Sequence, residues 1–243
     1  MNVYPIVFED GITWKLFSEN FSPEEGLYVA RILFEVRYAF IEIFGPHTVN
    51  AHPVLGVLPA ISGPQTERPN SIIFISGKAP MYVQYIYQFA HELCHFMVPG
   101  EVCKSYRWFE ETLCHMMSLY TLKFLYCSRS ERMSLYPGLY AAIPGYIKMI
   151  QSDRTPIKDI SLSEFIRFNL PHLQAECYDR PMNRAIACEL YPLFLKTPEL
   201  WKIVPSLHTL TDDMTLVAGV KSLLESIGVE EPGGNQLMKR LTE

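Results

Sequence analysis

Gln88-Phe89-Ala90-His91-Glu92-Leu93-Cys94-His95-Phe96 is the stretch on which the reading of this 243-residue chain turns. Two histidines at i and i+4 project from one face of a helix, so both imidazoles can reach one metal ion. Glu92 sits beside His91, offset enough to address a metal-bound water without itself being a ligand. Hydrolysis needs that arrangement, because zinc lowers the pKa of the water and a carboxylate takes up its proton. The segment is otherwise apolar, where His, Glu and His are costly unless they find partners. The pattern therefore predicts a Zn2+ site with His91 and His95 as ligands and Glu92 as general base.

The surroundings extend this reading in both directions. Upstream, Ser71-Ile72-Ile73-Phe74-Ile75-Ser76 has the β-branched content of a buried strand. Gly77-Lys78-Ala79-Pro80 then leads into the motif helix, with Pro80 suited to a first turn. A peptide substrate could lie along a sheet edge beside the metal. Downstream, a catalytic zinc needs a third protein ligand and leaves the fourth position to water. Tyr106-Arg107-Trp108-Phe109-Glu110-Glu111-Thr112-Leu113-Cys114-His115 opens the next helix, and both Glu110 and Glu111 are candidates for that ligand.

His91-Glu92-Leu93-Cys94-His95 followed by Trp108-Phe109-Glu110-Glu111-Thr112-Leu113-Cys114 resembles the gluzincin branch of the zincin-like metallopeptidases. The likeness covers residues 71–127. It implies a zincin-like metalloprotease fold and, with Trp108 on the aromatic position of the second motif, Glu111 as third ligand. Thr112 and Cys114 stand where that motif commonly has Gly and Ala. His115 shares a face with Glu111 and is an orienting residue by the same resemblance; a ligand role and a packed histidine are the alternatives. The metzincin pattern is not met, because Glu101, Val102 and their neighbours stand where its Gly and third His should follow His95. An oxyanion donor is also expected. The polar run Glu176-Cys177-Tyr178-Asp179-Arg180 offers Tyr178 first, with Arg180 and His172 behind it.

Composition bounds the rest. Hydrophobic residues make up 49% and charged residues 19%, as in an ordinary globular chain. The net charge of -5 and the lack of a basic run exclude nucleic acid as the main partner. No apolar run reaches the ~18 residues of a membrane span, and 1–5 do not read as a signal peptide. A cytoplasmic protein acting on a peptide or protein substrate is expected. The six cysteines show no paired spacing, so they read as buried thiols, and a cysteine zinc site is disfavoured.

The expected fold class is α+β, with a small mixed N-terminal sheet, the active-site helix and a mainly helical C-terminal half. Residues 1–243 read as a single zincin-like domain: mixed α/β over about 1–100, helical over about 101–228, and a mobile tail at 229–243. Helices are predicted over 22–44, 82–97, 105–127 and 183–194, with another capped by Ser161 and Glu164. A last one opens at Thr211-Asp212-Asp213 and ends at Gly228. Residues 54–61 read as an edge strand, and 151–156 as a weak seam. Zinc-dependent peptide hydrolysis is the leading function. The alternative is a catalytically weak or inactive zincin-like protein that binds or regulates one partner.

Overall fold

Ser22 and Glu25 form the reciprocal capping box expected of them: the Glu25 amide donates to Ser22 Oγ at 3.2 Å and the Ser22 amide donates to Glu25 Oε2 at 2.9 Å. They start α1 (Pro23–Phe44), which Gly45 ends at φ 77. The structure, a computed structural model, describes residues 2–7, 13–18, 21–46, 54–57, 63–67, 72–76, 81–128, 137–228 and 232–243. The lead-in 77–80 and positions 58–61 of the expected edge strand lie outside the described residues.

Five strands form one mixed sheet in the order β1 (Asn2–Val7), β2 (Thr13–Ser18), β3 (Val54–Val57), β5 (Ile72–Ile75), β4 (Gln65–Glu67). The pairs β2–β3 and β3–β5 are parallel, while the outer strands β1 and β4 run antiparallel to their neighbours. Parallel β2 and β3 require a crossover, which α1 supplies. Alternation sets the buried face: Tyr4 and Ile6 on β1, Trp14 and Leu16 on β2, and Ile73 and Ile75 on β5 are buried. The Trp14 ring meets Phe89 of α2 (Tyr82–Phe96) edge-on, with centroids 5.6 Å apart. At Gly26 of α1 a methyl group would overlap the Tyr4 ring, so only glycine lets that strand lie so close.

The remaining helices are α3 (Arg107–Ser128), α4 (Pro137–Ser152), α5 (Leu162–Ala175), α6 (Arg180–Lys196), α7 (Leu216–Ile227) and α8 (Gly233–Thr242). A 3-10 turn, Lys104–Tyr106, precedes α3, and a run of 3-10 turns, Pro198–Thr209, follows α6. The whole is α+β and mostly helical. Two compact units divide the chain: Met1–Met97 with Met117–Ile147, and Val98–Met116 with Lys148–Glu243. The chain passes from one unit to the other inside α3 and again inside α4, the latter just before the seam at 151–156.

The first unit holds the sheet, α1 and α2. The second is helical. There Ser161 and Glu164 cap α5 as expected, and Tyr106 donates to the Thr215 carbonyl at 2.7 Å. Burial pushes the Tyr106 phenol up to about 12, so it stays a donor at neutral pH. Two expectations are corrected here. Helix α7 opens at Thr215, whose side chain accepts from the Ala218 amide at 3.3 Å, and not at Thr211-Asp212-Asp213. Asp212 instead accepts from the Ser105 amide at 2.8 Å. The tail expected to be mobile contains α8, whose Leu237 and Leu241 are buried. Among the described residues, no helix is long and apolar enough to cross a membrane.

Candidate metal centre

Helix α2 packs on α1, β4 and β5 and is buried over most of its circumference. His91 is 8% exposed and Glu92 4%, while His95 is half-buried. Helix α3 is fixed against α2 where the Ser118 hydroxyl donates to the Tyr87 carbonyl at 2.9 Å. Its start is held by the Trp108 indole, which donates to the Ser105 carbonyl at 3.1 Å. Helix α3 is unbroken from Arg107 to Ser128. Cys114 and His115 lie three and four residues after Glu111, and Ser118 four and three after them, so the four form a single stripe.

That stripe supplies donors. His91 and His95 face each other with their Nε2 atoms 3.3 Å apart. Two nitrogens bound to one tetrahedral zinc at about 2.0–2.1 Å would be separated by about 3.3 Å. Two triplets bring their ligand atoms within 4.8 Å of one another: His91, His95 and Cys114, and His91, Glu111 and His115. His91 is common to both, and imidazole nitrogen, carboxylate oxygen and thiolate sulfur are the donors zinc takes. The residues present therefore fit the ion. His91, His95 and Glu111 all belong to the cluster, with His95 in one triplet and Glu111 in the other. Glu110, the other carboxylate weighed as third ligand, is buried but lies in neither triplet.

No protein-family model, curated protein or solved structure matches this chain.

Glu92 also lies in neither triplet. Its Oε2 accepts from the Thr66 hydroxyl at 2.7 Å, and the same hydroxyl is 3.0 Å from the Glu92 carbonyl. Thr66 belongs to the outer strand β4, so the sheet edge holds this carboxylate directly. Sequence reading missed Thr66, because a three-residue strand in a stretch rich in proline and glycine gives no periodicity to detect. It also missed Cys114, which reads as an ordinary buried thiol until its place beside two imidazoles is seen.

The polar junction between α5 and α6 has a different character. His172 Nε2 pairs with Asp179 Oδ2 at 2.9 Å. Asp179 Oδ1 accepts from the Met182 amide at 3.1 Å, capping α6. Arg180 is the first residue of that helix, and Tyr178 is 68% exposed. Asn183, wholly buried, donates to the Cys177 carbonyl at 2.7 Å. Burial pushes the Cys177 thiol up, and the Glu111 carboxylate adds to the rise while Arg107 opposes it.

Proposed function

We propose that this chain is a zinc-dependent metallopeptidase with a gluzincin-like site on a zincin-like fold. The observation that carries the reading is the His91–His95 pair at 3.3 Å, joined through the buried His91 to Glu111 and His115. The mixed sheet, whose antiparallel outer strand β4 packs against the motif helix, supports the fold assignment.

His91, His95 and Glu111 would hold the ion, with His115 orienting Glu111 from the same helix face. Zinc bound there would supply a Lewis acid and a water that is nucleophilic at neutral pH. Glu92 acts as general base, taking a proton from the attacking water and returning it to the leaving nitrogen. The Thr66 hydroxyl keeps that carboxylate in one orientation. A peptide or protein is the substrate. We place the chain in the cytoplasm, where its six cysteines, none of them joined in a disulfide, stay reduced.

The test is metal content together with turnover of a peptide library by the full chain. About one zinc per chain and hydrolysis lost in Glu92→Gln, with metal retained, are expected. Full activity in metal-free protein would sink the reading. A second reading, a zinc-bearing protein that binds or regulates one partner without cleaving it, is favoured by one feature. Cys114 beside His91 and His95 gives the centre enough donors to close around an ion. That reading expects bound zinc, no turnover and no effect of Glu92→Gln on partner binding.

A further inference from the structure

We infer that Cys114 is itself a metal ligand, so that the centre carries a thiolate donor beside its imidazoles. The inference rests on the zinc-site reading above and adds a donor that the reading does not use.

Three observations converge on it. The Cys114 sulfur lies within 4.8 Å of ligand nitrogens of both His91 and His95, which is the pair whose 3.3 Å spacing fits a shared ion. Cys114 is 1% exposed and stands on the α3 stripe between Glu111 and Ser118, the residue that fixes this helix on α2. The other cysteine in the motif region, Cys94, sits on α2 between the two histidines and belongs to neither triplet. The thiol is thus singled out by position and not by abundance.

The chemistry differs from that of a carboxylate-only centre. A thiolate is a soft donor that favours zinc and cobalt over magnesium or calcium. It also neutralises part of the ion's charge. Were His91, His95 and Cys114 to hold the ion together with Glu111 of the other triplet, the four positions of a tetrahedral site would be filled. Cys114 would then take the position otherwise left to water.

Cobalt(II) added alone to the metal-stripped full chain tests this directly. Wild type should show visible d–d absorption of tetrahedral intensity together with a near-ultraviolet sulfur-to-cobalt charge-transfer band. Cys114→Ser should lose the charge-transfer band and keep the d–d bands. Glu111→Gln and the control Cys94→Ser should keep both. Cobalt bound with d–d bands but no charge-transfer band in wild type overturns this inference and leaves the zinc site standing. So does a band that persists undiminished in a folded Cys114→Ser. No cobalt binding at all overturns both. X-ray absorption of the zinc-loaded wild type supplies a check that needs no variant: a zinc–sulfur shell at about 2.3 Å is expected, and only nitrogen and oxygen at about 2.0–2.1 Å would refute it.

Discussion

The stripe on α3 and the junction between α5 and α6 are both rich in polar side chains, yet they use them differently. At the junction, Asp179 caps a helix, His172 pairs with that cap, and Tyr178 faces solvent. Asp179 and His172 there have a local structural task. On α2 and α3, His91, Glu111 and His115 are buried and bring their ligand atoms within 4.8 Å of one another. Ionisable groups gathered together at buried positions are the stronger sign of chemistry, because their desolvation cost has to be offset by something. Polar residues at helix ends commonly answer the needs of the backbone first.

The contrast can be broken most sharply at His91. His91→Ala removes the residue common to both triplets and should abolish stoichiometric metal. The loss, measured as metal per chain, should exceed the about 10–100-fold that removing an outer partner of a ligand costs. Full metal retention would show that the cluster is not the centre. Thr66→Val comes next: it deletes the hydroxyl on Glu92 and should lower kcat/KM about 10-fold, the worth of one charge-assisted hydrogen bond of about 1.5 kcal/mol. Metal content should not change. In the junction the expected effects are on stability alone. Asp179→Ala should cost about 1 kcal/mol in denaturant unfolding through the lost cap, with metal affinity unaltered. Smallest of all is Tyr178→Phe, for which turnover and stability should both match wild type. A fall in kcat of about 10²–10³ would instead carry this tyrosine into the site as an oxyanion donor.

What the sequence made legible was what short-range chemistry decides. Ser22 with Glu25, Ser161 with Glu164, and Gly45 and Gly228 mark helix ends through contacts within a few residues. The motif helix and its partner were readable for the same reason, since i and i+4 spacing is local. Pairings over long distance were not. The β1–β2 hairpin and the parallel pairs through β3 leave no mark in so few residues each. Thr211-Asp212-Asp213 has the composition of a helix start, but Asp212 serves a backbone amide 107 residues away, and Thr215 takes the cap. In the cluster, His91 and His95 were suggested by spacing and Glu111 by resemblance. Cys114 could be recognised only once α3 was seen against α2, because the sequence shows its side chain as a substitute for a small residue.

Helix α8 has a practical side. Its Leu237 and Leu241 are buried and the helix packs on α5, α6 and α7, so residues 232–243 are no spare appendage. Two such leucines contribute about 1.5–3 kcal/mol each, a large part of the about 5–15 kcal/mol that holds a typical domain together. An affinity handle at this end should be joined through a flexible spacer after Glu243. A shortened expression clone ending before Gly233 should yield insoluble material, with three helices left displaying greasy faces.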